Sequence, residues 1–512
     1  MTLGRTRSVA LLGLHGAVVE IEADIASGLP RFIMIGLPDT AIRQAEHRVH
    51  AAAINSGCAL PTQKYTVNLS PAALPKFGSG FDLSIALACL AAAGTVRAES
   101  IERVVHLGEL GLDGRLRPIV GILPAVLALA RAGHTTVMVP TGNADEASLV
   151  PGVTVVGVAS LRDAAIWHGA ELAPEPVEAI QLTAVHADAP PETTDLADVI
   201  GNEDAIDAML AAAAGGHHVF LLGPPGAGKT MLAARLPGLL PDLSAEAAIE
   251  VSSIRSLAGL PVASTLDVRP PFESPHHTAS AVALIGGGSG VIRPGAAARS
   301  SHGVLFLDEA PEFTVTALDA LRQPLESGVI SIHRANAVAH FPGSFQLVMA
   351  ANPCPCGQWG AKDSTCTCAP FARRRYLARI SGPLLDRIDI QLRVSRVTST
   401  QLKLADDRPR LTSAIARERV ARARDAAGER MARTPWTLNS QVPGAWLRGP
   451  QARLPVGMTA SLDRALERGG ITMRGYDRVL RVAWTLADLD GTSSPSADHI
   501  GRALYLRKAI TS

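Results

Sequence analysis

The sequence predicts an α/β protein with a parallel-sheet domain at its centre, a second α/β domain before it and a helical domain after it. Three observations carry this. His217–Leu222 reads as a buried strand that feeds a glycine-rich loop and then a helical pattern. Two further apolar strands, Gly303–Leu307 and Phe345–Ala351, recur downstream between helical stretches, as they do in parallel sheets. From about residue 400 the periodicity is helical alone.

Composition suits such a chain. Of 512 residues, 47% are hydrophobic and 19% charged, which excludes wholesale disorder and leaves room for roughly three or four domains. The net charge of +1 points to no partner, but residues 372–435 hold 16 Lys or Arg against 7 Asp or Glu. The longest apolar run, Ile85–Val96, falls short of the roughly 18 residues of a membrane span. The run behind Arg5 and Arg7, Val9–Leu12, is too short for a signal peptide. Six cysteines in this length make no disulfide framework. A soluble cytoplasmic protein with no membrane association is expected.

Taken in order, residues 1–170 form the first α/β unit. Val18–Ile25 and Tyr65–Leu69 alternate as strands, while Leu83–Ala93 and Pro124–Ala132 are Ala- and Leu-rich helices with a buried face. Residues 171–198 turn rich in Pro, Glu and Asp, the composition of an extended linker. The central domain occupies 199–395. The helical domain, 400–512, holds four candidate helices: Leu411–Arg433, Ser461–Arg468, Arg474–Leu489 and Ala497–Ile510.

The loop after the first central strand reads Gly223, Pro224, Pro225, Gly226, Ala227, Gly228, Lys229, Thr230, the GxxxxGK[ST] pattern in its proper strand-to-helix context. Glycines let backbone N–H groups turn inward around phosphate oxygens, and the helix N-terminus adds its dipole. Lys229 is placed to neutralise the β- and γ-phosphates and the Thr230 hydroxyl to ligate Mg²⁺. The strand Gly303–Leu307 ends on Asp308 and Glu309: an acid there can hold the Mg²⁺ shell, and its neighbour can orient or deprotonate the attacking water. Asn352 closes the third strand, where an amide can sense the γ-phosphate; Asn-Pro is also an ordinary strand-ending turn.

With these elements in order, the central region resembles the AAA+ P-loop ATPases, and its details the magnesium-chelatase-like clade. The resemblance to the YifB/ComM family runs the full length. It rests on Asn68–Asp82 (NLSPAALPKFGSGFD), Pro275–Ser280 (PHHTAS), Leu284–Ser289 (LIGGGS), Leu321–Glu326 (LRQPLE), Asn352–Gly357 (NPCPCG) and Ile380–Asp389 (ISGPLLDRID). It implies an AAA+ core, preceded by a Lon-protease-like (S5-type) domain over 1–170 and followed by a helical lid. It also implies a homo-hexameric ring with ATP between subunits and Arg387 reaching a neighbour's γ-phosphate. A guanidinium suits that charge; a local ion pair with Asp386 or Asp389 would use the same residue. Arg474 matches the clade's second sensor arginine, with Arg478 one turn further along the same face. Two insertions, about 276–300 and 329–341, are implied to face the ring's pore, with Arg293, His333 and Arg334 as suitable contacts. A glycine-rich surface loop is the bland reading of the first.

In active Lon-type peptidases the matching segment reads PKDGPSAG, with Ser as nucleophile and a later Lys as its partner. Here Pro75–Asp82 puts Gly80 at the serine position and Ser79 one residue away. Without a positioned hydroxyl no acyl-enzyme forms, so a structural or substrate-guiding domain is expected. Cys354, Cys356, Cys366 and Cys368 form a four-thiol cluster between Asn352 and Arg387. Four thiolates suit structural Zn²⁺, although C-x-C is tighter than the usual C-x₂₋₄-C; reduced thiols or a redox site are the other readings. Cys58 and Cys89 lie in apolar surroundings and belong to the core.

The family resemblance implies a DNA motor, a ring helicase that drives branch migration during recombination or DNA uptake. The basic segment offers phosphate contacts to branched or single-stranded DNA, while a solvated Arg-rich face explains Arg417–Arg424 equally well. The alternative is a magnesium-chelatase-type or protein-remodelling ATPase with no DNA substrate.

Overall fold

The structure, a computed structural model, describes residues 3–181, 194–288, 292–334, 337–360, 365–398, 401 and 409–508. Parts of several sequence readings lie outside the described residues: the middle of the linker, the tips of both insertions, residues 361–364 between the cysteine pairs, residues 399–400 and 402–408 of the basic segment, and the end of the last helix beyond Lys508.

The N-terminal unit is built on a seven-stranded mixed sheet. Its strands are β1 (Gly4–Leu12), β2 (His15–Ala26), β3 (Arg31–Ile35), β4 (Lys64–Ser70), β5 (Val105–His106), β6 (Thr136–Pro140) and β7 (Thr154–Val158), in the order β3-β4-β2-β1-β5-β6-β7. β1 pairs antiparallel along its whole length with His15–Ala23 of β2, and Val19, Ile21 and Ala23 alternate into the core as a half-buried strand requires. The helix Asp82–Ala92 is buried at every residue, so its Ala- and Leu-rich composition reflects enclosure rather than amphipathicity.

The central sheet is wholly parallel. β8 (Val219–Leu222), β9 (Phe272–Glu273), β10 (Val304–Leu307), β11 (Gln346–Ala351) and β12 (Ile390–Arg393) lie in the order β9-β10-β11-β8-β12. β8, β10 and β11 are buried throughout, which is why they read as apolar runs broken only by Gln346, whose amide donates to Ala212 O (2.9 Å) and His217 O (2.6 Å). Strand β8 begins at Val219, later than expected. His217 and His218 sit just before it with side chains used as hydrogen-bonding groups. His217 bridges Asp389 (3.2 Å) and Thr485 (2.8 Å), and His218 Nδ1 accepts the Leu347 N–H at 3.0 Å.

Helices follow at Ser413–Met431, Val456–Glu467, Met473–Leu489 and Ala497–Lys508. The second starts at Val456, five residues before the expected Ser461. Val456 and Met458 at its start are exposed and Thr459 fills its first buried position, so the buried apolar spacing begins only at Leu462. The first packs on the phosphate-loop helix Lys229–Leu239, and one hydrophobic core runs from Leu196 through the sheet to Leu506. The end of the acidic segment is likewise built into this core. Leu196 is buried, Asp195 accepts from the Ser413 N–H at 3.0 Å, and Arg235 donates to the Asp195 carbonyl at 2.7 Å. The described start of that segment is fastened to the N-terminal unit by Arg162, which donates to Ala173 O at 2.9 Å and pairs with Glu175.

Both insertions carry antiparallel pairs. Gly286–Gly287 pairs with Arg293–Pro294, and Val329–Arg334 with Ala337–Pro342. Arg334 donates to Gly288 O, tying one insertion to the other. Among the described residues, no helix is long and apolar enough to cross a membrane.

Candidate nucleotide site and cysteine cluster

Three neighbouring strands of a parallel sheet release their chains at the same edge, which is where such folds bind ligands. From β8 the loop Gly223–Gly228 turns with Gly226 and Gly228 at φ 76° and 85°, a left-handed backbone open to glycine at no steric cost. Gly228 then caps the helix that starts at Lys229. The Lys229 ammonium is nearly buried; it donates to Gly223 O (2.7 Å), Pro224 O (3.1 Å) and Asn352 Oδ1 (3.1 Å). Burial lowers its pKa, with Asp308 and Glu309 opposing that shift. Asn352 leaves β11, which pairs with β8 in a register that sets Leu222 beside Ala351.

Thr230 donates to Asp308 Oδ2 at 2.7 Å, and the Glu309 N–H donates to Asp308 Oδ1 at 2.9 Å. A threonine hydroxyl beside a carboxylate is a hard-oxygen pair of the kind Mg²⁺ takes. Glu309 itself sits at φ 51°, a conformation that side chains rarely adopt and that clusters at functional sites. Its carboxylate lies 3.4 Å from His277 Nδ1, on the loop after β9. The spacing of sequence motifs did not reveal this partner, although PHHTAS was the segment that held it.

Arg387 does not join this cluster within one chain. It donates to Pro383 O at 2.6 Å and pairs with Glu326, so the local ion pair that forms is with neither Asp386 nor Asp389. The α-helix Gly382–Leu385 directs it there, one turn beyond Pro383. Arg474 is 77% exposed, 3.8 Å from Asp386. Arg478 is instead drawn inward to Asp389, where it helps hold a fully buried acid. Burial opposes ionisation of Asp389, but the Arg478 charge and the His217 hydrogen bond outweigh it and keep the carboxyl well below its usual range. Arg396, which the sequence did not single out, donates to Pro225 O at 3.0 Å on the phosphate loop.

The four cysteines of 354–368 come together with all sulfurs within 4.8 Å of one another. Sγ–Sγ separations are 3.3 Å for Cys354–Cys356, 3.7 Å for Cys354–Cys366 and 3.6 Å for Cys356–Cys366. A tetrahedral zinc with Zn–S bonds of about 2.3 Å spaces its sulfurs about 3.8 Å apart, so the arrangement fits such an ion. Cys58 and Cys89 are buried in the N-terminal core as expected.

The basic segment is less available than its charge suggests. Arg417 donates to Gly238 O, Arg424 is turned inward onto Ala213 O (3.1 and 2.6 Å), and Arg430 pairs with Asp488 under Trp484. Arg374, Arg375 and Arg422 are exposed, as are Arg293, His333 and Arg334 on the insertions. In the N-terminal unit, Ser79 donates to Glu109 and the buried Lys76 donates to Gly36, Leu69 and Pro71 carbonyls.

The family model "Magnesium chelatase, subunit ChlI" matches residues 195–402, "Subunit ChlI of Mg-chelatase" matches 21–143, and "Magnesium chelatase, subunit ChlI C-terminal" matches 410–507. Competence protein ComM of Haemophilus influenzae is 40% identical over 512 residues, covering 100% of this chain and 98% of its own. YifB of Escherichia coli is 38% identical, covering 99% and 97%. Lon protease of Mycolicibacterium smegmatis is 29% identical over 156 residues, 29% of this chain and 20% of its own. The chain belongs to the YifB/ComM family of magnesium-chelatase-like AAA+ ATPases, with a Lon-like N-terminal region.

Proposed function

We propose that this protein is a ring-forming DNA motor that hydrolyses ATP, a helicase promoting branch migration in recombination or DNA uptake. The observation that carries the motor is the convergence of Lys229, Thr230, Asp308 and Asn352 from three adjacent strands. The DNA track is supported by full-length similarity to a competence protein and by the exposed arginines Arg374, Arg375 and Arg422.

In this reading Lys229 exchanges its loop carbonyls for the β- and γ-phosphates. Thr230 and Asp308 hold Mg²⁺, which when bound neutralises charge on the phosphates. Glu309 orients the attacking water and Asn352 senses the γ-phosphate. Arg387 faces a neighbouring copy in a homo-hexamer and exchanges its pairing with the exposed Glu326 for that copy's γ-phosphate. Arg474, exposed at the start of its helix, is the second sensor. Cys354, Cys356, Cys366 and Cys368 hold one structural Zn²⁺.

Peptidase activity has no support: Gly80 supplies no hydroxyl, Ser79 is engaged by Glu109, and Lys76 is consumed by three carbonyls. The test is steady-state ATP hydrolysis with no DNA, single strands, duplex and a four-way junction, each at two salt concentrations. Stimulation that weakens with salt is expected. No stimulation by any of them would replace this reading with a protein-remodelling ATPase.

A further inference from the structure

The cysteine cluster is built directly on the nucleotide site, and one glycine makes the connection. Asn352 and Cys354 are two residues apart, so the residue that meets Lys229 and the first cysteine ligand share a turn. Gly357 closes that turn by donating its N–H to Cys354 O at 2.9 Å. It sits at φ 75°, and a Cβ there would lie 2.7 and 2.8 Å from the ring atoms Cγ and Cδ of Pro225 and 3.9 Å from Asn352 Cγ. Pro225 is the third residue of the phosphate loop, and a proline ring cannot rotate out of the way. The backbone of the cysteine turn is thus packed flat against the phosphate loop. Arg396 also donates to Pro225 O. Pro225 is thus contacted by both the cysteine turn and this arginine.

We propose that the metal-bound cysteine turn is a positioning element for ATP hydrolysis, acting through Gly357 on Pro225 and through Asn352 on Lys229. The physical reason is the weakness of the turn without an ion. Of the four cysteines only Cys354 is buried; Cys356 is exposed, and Cys366 and Cys368 are half-buried. Four thiolates on one ion would fix by coordination what burial leaves loose. An ion on these four cysteines would fix the turn, and with it the amide of Asn352 and the side of the phosphate loop that Gly357 meets. Such placement matters because small displacements of positioning groups cost turnover steeply.

This inference rests on the zinc and ATPase readings, and its test separates them. Three full-length proteins are compared: wild type, Cys366→Ser/Cys368→Ser and Gly357→Ala. Zinc per chain, kcat and KM for ATP, the Kd of a fluorescent ADP analogue and the melting temperature are measured on each. Wild type should carry about one zinc per chain. The double variant should lose it, with kcat reduced on the order of 10-fold or more. Gly357→Ala should keep its zinc and still lose kcat to a similar degree, with KM raised severalfold. That combination is one a merely structural knot would not give. Turnover of zinc-stripped wild type should return on adding zinc back.

Each other outcome overturns a part. A zinc-free but fully active double variant would show that the metal does not position the site. Unchanged kinetics in Gly357→Ala would remove the contact with Pro225 as the route. A metal-free wild type would end the zinc reading, while Gly357→Ala would still decide the contact.

Discussion

Lys229 and Asn352 stand 123 positions apart, yet the lysine ammonium and the asparagine oxygen meet at 3.1 Å. The meeting follows from sheet order. β8 and β11 are hydrogen-bonded neighbours, so the residues leaving their carboxyl ends face one another across one strand spacing of about 4.8 Å.

Lys229→Ala should lower nucleotide affinity and turnover by roughly 100-fold or more, because it removes the buried cation of the cradle. Steady-state hydrolysis and ADP binding measure this. Normal turnover would remove the motor assignment.

Arg387→Ala should leave ATP binding intact and reduce hydrolysis by about 10³-fold, the scale of a transferring-phosphate arginine. Mixing it with Glu309→Gln subunits should restore part of the activity at interfaces where both sites are whole. Absence of any rescue would place the arginine's role within its own subunit.

Two arginine changes should part company. Arg374→Ala with Arg375→Ala touches exposed charges and should weaken DNA stimulation and its salt dependence without lowering the melting temperature. Arg424→Ala removes a half-buried guanidinium that serves the Ala213 carbonyl and should cost about 1–3 kcal/mol of stability. Thermal melts beside hydrolysis assays distinguish them; a large DNA defect confined to Arg424→Ala would reverse the assignment.

Acid lability should begin near pH 6.5, before ordinary carboxylates titrate. Burial lowers the pKa of His168 and of His218 to about 4, and burial followed by His168 lowers that of His106 well below its usual value. Between pH 6.5 and 4 the unfolded chain binds protons that the native state refuses, so stability rises with pH across that window. It is complete above the window and lost below it. Melting temperature should be flat above about pH 7 and fall as the pH drops to 5. A flat profile down to pH 5 would contradict the buried neutral state.

Asp389→Asn should destabilise the protein by about 3–5 kcal/mol, because it removes the buried negative charge that Arg478 pairs with and one of the two oxygens that Arg478 and His217 share. Chemical denaturation at neutral pH reads this directly. An effect under about 1 kcal/mol would mean that solvent reaches the pair.

Much of this was legible in the residues themselves. The loop Gly223–Thr230, the pair Asp308–Glu309, Asn352 and the four cysteines are local patterns, each written in a few consecutive or closely spaced positions. Periodicity likewise marked β10, β11 and most of the C-terminal helices, since burial on all sides leaves apolar runs. What a one-dimensional pattern cannot hold is which distant groups become neighbours. Only the folded chain set His277 beside Glu309, chose Glu326 for Arg387, drew Arg478 rather than Arg474 inward to Asp389, and turned Arg424 away from solvent. It also pressed Gly357 against Pro225. Motifs encode local backbone chemistry, whereas pairing between charges depends on strand order and on where burial makes an unpaired group too costly to leave.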